Sequence, residues 1–417
     1  FSYTFSTGPT LDSLYLKGNI QDAFNLETEE YLSLQLYRID STYNDSIIFN
    51  TQPTYLANTL DSTNYRFNNL REGQYMLIAL KDVSDNYFFD PFYDRIGFYD
   101  SLVSLPKDTL INLRLFKEET PIVWDEPNFI NSEKIGFGYF GKLDINKISL
   151  ITKIPDSVNF LFTKEKDKDT INFWLSKNSI DSLQFKFKEV DTIKTLSVKF
   201  DRSKDSIIDS LSISNITKSV IDLTEKFKLS SDLPINKISD SLIFIRNIDS
   251  ILIPFKSSIN SNLDEIMLDF DVKPQDDYSI YILPNAIIDI RGGTNDTLSF
   301  KTLTQSLEDY GNVYLNVIRD TESKYILQMV NSNSEIIKEY NNITNDGIYN
   351  FELIPPGKYL FRMIKDDNGN KIWDTGNYLQ KIQPEDVYYF SNELDIRANW
   401  DFNETFNLKM IEIDSIN

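Results

Sequence analysis

Oxygen-bearing side chains recur at nearly every second position in the stretch KDDNGNKIWD, residues 365–374. Calcium in proteins is held by roughly six to eight oxygens, which loops supply from alternating carboxylates, amides and a backbone carbonyl. The stretch therefore predicts a calcium site, with calcium as the one cofactor of the chain. Its ligands would be Asp366, Asn368, Asn370, the carbonyl of Ile372, and Asp374.

The match to a helix-flanked calcium loop is partial. Counted from Asp366 as position 1, position 12 is Asn377 where such loops carry Glu, and the glycine is at position 4 instead of 6. The alternative is a hairpin turn, in which Asp and Asn bond to neighbouring backbone and Gly369 lies at the tip. The sequence leaves both interpretations open.

Histidine and cysteine are both absent from the 417 residues. This excludes a Cys nucleophile, a Ser-His-Asp triad and zinc held by thiolate or imidazole within this chain. Carboxylate pairs remain, but adjacent acids such as Asp125 and Glu126 would point to opposite faces of a strand. We therefore expect solvated turn charges at such positions and no enzymatic activity.

The charge balance disfavours nucleic acid as a partner. The chain carries 63 acidic against 42 basic side chains, a net charge of -21, which repels a phosphate backbone. A run of about 20 apolar residues, as needed for a membrane-spanning helix, is also missing from the sequence.

Apolar and polar residues alternate in most segments of the chain, as they do in half-buried strands. Short clusters of Asp, Asn, Ser, Gly and Pro separate the segments and are typical of turns. We predict an all-β fold of tandem β-sandwiches with little helix, one helical turn being expected in SLEDYGN, residues 306–312. Clear alternation is found in YLSLQLYRI (31–39), SLQFKFKEV (182–190), TLSVKFD (195–201) and YSIYIL (278–283).

An internal repeat organises these segments. Residues 67–91 align without a gap with residues 351–375, at an offset of 284. The shared frame includes Phe, Gly-x-Tyr, a strand, Lys-Asp, and an aromatic residue followed by Asp, and so many matches in register indicate two related domains. We predict a turn with positive φ at Gly73 and Gly357. The first copy offers weaker calcium ligands, at Asp82, Ser84, Asn86, the Phe88 carbonyl and Asp90.

Four domains account for the length, with boundaries predicted near residues 118, 210 and 307. Residues 1–118 would form a β-sandwich preceded by the last strand of a further domain, and residues 307–417 its repeat. Residues 119–210 and 211–306 would form two further sandwiches.

Two families of β-sandwich resemble parts of the chain. KGNIQDAFNLETEEYLSLQLY (17–37), followed by YRFNNLREGQYMLIALKD (65–82), resembles the carboxypeptidase-regulatory-like, transthyretin-type (prealbumin-like) sandwich. YSIYILPNAIIDIRGGTNDTLSFKT (278–302) is similar to the close of a bacterial Ig-like domain of the S-layer type, and FSYTFSTG (1–8) to the last strand of another. The domain order resembles Ig-like-domain lipoproteins of Bacteroidota.

This resemblance implies a place in the cell envelope. Members of the family are lipid-anchored at the outer membrane, so we expect an anchor outside this cysteine-free chain and a position at the cell surface or the periplasmic face. The expected function is that of a non-enzymatic structural or accessory subunit, with outer-membrane or surface proteins of a larger complex as partners. The alternative is a surface binding module for glycan or peptide.

Overall fold

The computed structural model describes residues 12–41, 43–131, 133–177, 180–189, 192–199, 210–319 and 322–409. In this part of the chain the fold is all-β, built from β-sandwiches in series, which confirms the predicted fold class. Its helical elements include the 3-10 turns Asp45–Phe49, Ile145–Lys147, Asp240–Leu242 and Leu307–Asp309, the last within the segment predicted to make a turn. The opening segment 1–8 lies outside the described residues.

The first unit, residues 12–116, packs a small sheet of order β4-β1-β8 against a larger sheet of order β3-β2-β5-β6, in which β7 also pairs with β5. Strands β1 and β8 are parallel. Side chains such as Leu16 and Leu77 meet between the sheets. The strands are β1 (Leu14–Asp22), β2 (Ser33–Arg38), β3 (Tyr55–Asn58), β4 (Asn64–Leu70), β5 (Gly73–Lys81), β6 (Arg95–Phe98), β7 (Val103–Leu105) and β8 (Leu113–Leu115).

The second unit, residues 119–199, has sheets of order β10-β11-β14-β13, with β9 also on β11, and β12-β15-β16. Its core is aromatic: the rings of Phe137 and Phe173 lie 4.8 and 4.9 Å from that of Phe185. The strands are β9 (Val123–Trp124), β10 (Asn128–Asn131), β11 (Lys134–Phe140), β12 (Ile148–Leu150), β13 (Phe160–Lys164), β14 (Thr170–Leu175), β15 (Ser182–Lys188) and β16 (Ile193–Lys199).

The third unit, residues 210–305, has sheets of order β17-β18-β23-β22 and β21-β20-β24-β26, with a ribbon of β19 and β25. Phe227, Ile245 and Ile280 are part of its core. The strands are β17 (Ile213–Asn215), β18 (Phe227–Ser231), β19 (Ile235–Ile238), β20 (Ile243–Arg246), β21 (Leu252–Ile253), β22 (Phe255–Ile259), β23 (Glu265–Phe270), β24 (Asp277–Ile282), β25 (Ile287–Asp289) and β26 (Leu298–Leu303).

The fourth unit, residues 307–409, repeats the strand order of the first: β30-β27-β34 faces β29-β28-β31-β32, and β33 also pairs with β31. Strands β27 and β34 are parallel, as β1 and β8 are. The strands are β27 (Gly311–Ile318), β28 (Lys324–Asn331), β29 (Ile336–Ile343), β30 (Gly347–Ile354), β31 (Gly357–Asp366), β32 (Val387–Tyr389), β33 (Leu394–Ile396) and β34 (Asp401–Asn407).

The Gly-x-Tyr sequence closes the same turn in both copies. The hydroxyl of Tyr75 donates to the carbonyl of Arg71 over 3.0 Å, and that of Tyr359 to the carbonyl of Pro355 over 2.9 Å. Gly73 has the predicted positive φ, at +153°, but Gly357 does not. The expectation is wrong for Gly357, although both glycines occupy the first position of a strand, β5 and β31.

The predicted boundaries near 118, 210 and 307 fall in the connections β8 to β9, β16 to β17 and β26 to β27. As limits of independently folding domains they stay predictions.

Candidate functional site

The Asp/Asn loop, residues 366–374, begins where strand β31 ends, and its first carboxylate is the centre of the loop. Asp366 is 2% exposed. One of its oxygens accepts hydrogen bonds from the backbone N–H groups of Gly369 (2.8 Å) and Asn370 (3.1 Å), and the other from Lys371 (3.1 Å). The buried Asp366 carboxylate therefore stabilises the loop conformation by bonding to three of the loop's backbone N–H groups.

The amide side chains continue the same pattern. The Oδ1 atoms of Asn368 and Asn370 each accept from the N–H two residues later, both at 2.9 Å. Their Nδ2 groups donate to one oxygen of Asp374, at 2.6 and 2.7 Å. The structure thus brings the predicted residues together in one loop, where Ile372 provides the N–H bonded to Asn370.

The hairpin alternative predicts bonds of this kind, because in Asx turns the side-chain oxygens of Asp and Asn accept from nearby backbone N–H groups. Within the described residues, acidic side chains do not gather in groups of three or more that could hold a metal ion. Calcium binding at this loop stays a prediction. If calcium binds there, the melting temperature of the protein should rise on titration with millimolar calcium.

The first copy of the loop is built in the same way from fewer bonds. Asp82 accepts from the N–H groups of Ser84 (3.1 Å) and Tyr87 (2.6 Å). Asn86 accepts from the N–H of Phe88 at 2.8 Å. The two loops therefore share a turn architecture, and the second has more side-chain bonds.

A further carboxylate, which no pattern in the sequence indicates, supports each loop. Asp94 accepts from the N–H groups of Val83 (2.9 Å) and Asp90 (2.8 Å). Glu385 does the same for Asp367 (2.8 Å) and Asp374 (3.0 Å). Burial raises the pKa of both carboxyls.

The equivalence of Asp94 and Glu385 is hidden in the sequence by a difference in loop length. Asp94 follows Asp90 by four residues, whereas Glu385 follows Asp374 by eleven. The gapless alignment therefore ends before these positions. Strand pairing is the signal that relates them, because β6 and β32 start next to them and pair with β5 and β31 in the same register.

The longer connection in the fourth unit, residues 375–385, docks on the first unit, and we name it the clasp segment. Tyr378 is fully buried and its ring lies 5.4 Å from that of Phe98. The hydroxyl of Thr375 donates to the Lys117 carbonyl over 2.6 Å, and the N–H of Tyr378 to a carboxylate oxygen of Glu118 over 2.5 Å. The clasp segment thus joins units whose strands are far apart in sequence.

Ion pairs flank this contact. Lys381 of the clasp segment lies 2.7 Å from the carboxylate of Asp45. Its Nζ also lies 4.0 Å from the centre of the Tyr378 ring. Asp386, directly after the clasp segment, pairs with Arg114 of strand β8.

The first unit reaches back onto the fourth through the connection between β1 and β2. The Phe24 ring lies 4.3 Å from the guanidinium carbon of Arg362 and 4.8 Å from the ring of Trp373. The hydroxyl of Tyr389 donates to the Phe24 carbonyl over 2.9 Å. Arg362 is buried there and donates to Gln328 over 2.7 Å. The docking is therefore reciprocal.

A cleft of about 560 Å³ remains between the two docked units. One wall is the β1–β2 connection with Arg95, and the other includes Val330 and Leu360 of the fourth unit. The Asp22 side chain is fully buried, accepts from the N–H of Asn25 (2.7 Å) and pairs with Arg95. Because this acid is already bonded, it is poorly placed to act as a general acid or base.

Comparisons with known proteins identify no relative by sequence. No family model matches the chain, and no curated protein matches it. Solved structures match at low identity and low TM-score. In the described residues, no helix has the length and apolar character needed to cross a membrane.

For three of the similar structures, the alignment with this chain covers most of the matched protein's own chain. The major pilin subunit of Bacillus cereus is 10% identical over 94% of this chain and 98% of that one, with a TM-score of 0.18. A Bacteroides ovatus mixed-linkage glucan utilization protein was solved in complex with a mixed-linkage heptasaccharide. It is 11% identical over 94% of this chain and 96% of that chain, with a TM-score of 0.19. A structure spanning domains MG0-NIE-MG1 of native alpha-2-macroglobulin from Escherichia coli is 11% identical over 44% of this chain and 71% of that chain, with a TM-score of 0.22.

Proposed function

We propose that this chain is a non-enzymatic structural or accessory subunit of a protein assembly in the cell envelope of a Bacteroidota-like bacterium. The observation that carries the proposal is the reciprocal docking of the first and fourth units through the clasp segment and Phe24. Docking of the ends turns a string of sandwiches into a stiffer body that presents several strand edges and loops to partners.

The use of the buried acids supports a non-enzymatic role. Asp22, Asp366 and Glu385 accept hydrogen bonds from backbone N–H groups. Acids bound in this way stabilise loops and are poorly placed to exchange protons with a substrate. The position at the outer membrane, the lipid anchor outside this chain and the surface or outer-membrane partners rest on the sequence resemblance.

The test is purification of the tagged chain from its native membrane in mild detergent. We expect it to migrate with other envelope proteins, identified by mass spectrometry. We expect Tyr378→Ala to undock the units and weaken this migration, and Leu379→Ala, an exposed neighbour in the same segment, to serve as the matched control without such an effect. Migration of the wild-type chain as a lone monomer would contradict the proposal.

One observation favours the alternative, a surface binding module for glycan or peptide. The first copy of the Asp/Asn loop and the residues after it expose Tyr87, Phe92 and Tyr93, the last at 56%. Exposed aromatic side chains on a loop are frequent anchors of binding surfaces. Screening against a glycan array and a peptide array would support this function if Tyr93→Ser removes binding that Tyr281→Ser, an exposed control in the third unit, retains.

A further inference from the structure

The cleft between the first and fourth units has the dimensions of a ligand site. Its volume of about 560 Å³ lies within the range of small-ligand pockets, which occur preferentially where domains meet. The β1–β2 connection forms its outer wall, and Asp22 fixes that connection by accepting from the N–H groups of Phe24 (2.9 Å) and Asn25 (2.7 Å). The wall is therefore built independently of any ligand.

The charges of the lining select for a cation. Asp22, Glu27, Glu29 and Arg95 line the cleft, so three carboxylates face one guanidinium. Arg95 pairs with Asp22 and, at 2.7 Å, with Glu29. Glu27 is exposed and has no ion pair among the described residues, so its charge is open to a ligand. Lys81 also lies 3.6 Å from Glu29, so among the described residues the lining acid without a paired cation is Glu27, and its charge disfavours an anionic ligand such as a phosphate or a uronate.

Apolar side chains lie beside these acids. Leu26 is 60% exposed next to Glu27, and Val330 and Leu360 line the opposite side. Lysine and arginine combine both properties, because their methylene stems cover apolar surface while the charged end stays in a polar environment. Tyr389 is the one aromatic side chain among the described residues of the lining, so a saccharide would find a single ring there and no row of aromatic platforms.

We propose that this cleft binds a partner protein through a lysine or arginine side chain that enters between the first and fourth units. The stem lies along Leu26 and Leu360, and the charged end meets Glu27. This inference rests on the proposed function as a subunit and names the contact by which a partner is held. A bound segment touches both units and so stabilises their docking.

The probe is an acetylated and amidated Gly-Leu-Arg-Leu-Gly peptide, titrated into the purified chain by calorimetry at low salt. The control peptide has the same sequence with citrulline in place of arginine, because citrulline has the shape of arginine without the charge. We expect the arginine peptide to bind more tightly. Glu27→Gln should weaken its binding by about fivefold, the upper end for a pair at an exposed carboxylate.

Matched variants separate the cleft from the general acidity of the chain. Glu30→Gln makes the same change in net charge at an exposed residue outside the cleft lining and should leave binding unchanged. Leu26→Ser should weaken binding, whereas Leu110→Ser, at an equally exposed leucine, should not. Equal effects of Glu27→Gln and Glu30→Gln would overturn the proposal, because binding would then follow net charge alone.

Three other outcomes also overturn it: absence of peptide binding, equal binding of the citrulline peptide, and tighter binding of a neutral glucose hexasaccharide. The proposed function is tested separately by migration with partners. A chain that migrates with partners but does not bind the peptide refutes the cleft site alone. A chain that binds the peptide but migrates as a monomer refutes the subunit function.

Discussion

Buried carboxylates in this chain act as acceptors for the backbone of its loops. Asp22, Asp94, Asp366 and Glu385 each accept from two or more backbone N–H groups. A hydrogen bond to a charged group contributes more than one between neutral groups, and an N–H left without its acceptor costs free energy. At the scale of single residues, acidic side chains thus define the shapes of the loops.

The first prediction concerns Asp366. Asp366→Asn replaces two acceptor oxygens by one and places an NH2 group against a backbone N–H. We expect the free energy of unfolding to fall by about 1–3 kcal/mol in urea titrations. Asp367→Asn, whose side chain is mostly exposed, should change it by less than about 0.5 kcal/mol. Equal effects of the two variants would show that Asp366 does not organise the loop.

At the scale of elements, the difference between the two related units lies in one connection. The strand orders match, and so do the turn and the supporting carboxylate. The clasp segment is seven residues longer than its counterpart, since eleven residues separate Asp374 from Glu385 and four separate Asp90 from Asp94. The additional length, which lies between strands of matching register, thus forms the contact with the first unit.

The second prediction tests the clasp segment. Tyr378→Ala removes a fully buried aromatic side chain that packs between units. Truncations of this kind cost about 3–5 kcal/mol, which we expect to appear as loss of docking. Small-angle X-ray scattering should show a larger radius of gyration, while the far-ultraviolet circular dichroism stays that of a β protein. Leu379→Ala, at a residue 55% exposed, should leave the radius unchanged.

At the scale of the whole molecule, contacts join consecutive units as well as the ends. Arg291 of the third unit lies 3.5 Å from Glu133 of the second. The hydroxyl of Tyr310 in the fourth unit lies 3.2 Å from the carboxylate of Asp222 in the third. Together with the clasp segment, these contacts link the second unit to the third, the third to the fourth, and the fourth to the first.

The third prediction uses Glu118, which accepts from the clasp segment. Burial raises the pKa of the Glu118 carboxyl, so the docked state binds its proton more tightly than the unfolded state. Its contribution to stability is complete below the unfolded pKa and is lost as pH rises through the docked-state pKa. Glu118→Gln keeps an acceptor for the Tyr378 N–H and removes the buried charge. We expect a higher melting temperature than wild type at about pH 7.

The advantage of Glu118→Gln should shrink as pH is lowered to about 4, where the wild-type carboxyl is protonated as well. Glu119→Gln provides the control, because this neighbour is exposed and pairs with Lys142 at the surface. Its effect should be small. A gain for Glu118→Gln that did not depend on pH would contradict the assignment.

The sequence by itself determined the all-β class, the strands with clear alternation and the repeat shared by the two end units. Alternation of apolar and polar residues is a local property, and β15 follows it residue by residue. The repeat of residue types between 67–91 and 351–375, at a constant offset, is likewise visible in the sequence alone. For the same reason the predicted ligand residues 366–374 were found together in one loop, since neighbours in a turn stay neighbours in space.

Only the tertiary structure decided what lies beyond the loop. Glu385 bonds to the nearby Asp367 and Asp374, but the difference in loop length hides its equivalence with Asp94. The docking of the clasp segment and the cleft depend on contacts between residues separated by hundreds of positions, such as Tyr378 with Glu118 and Tyr389 with Phe24. Periodicity carries no information on such pairs, because many exposed faces of a sandwich are compatible with the same pattern. The choice among them is made by the fit of side chains and the pairing of buried charges once the units meet.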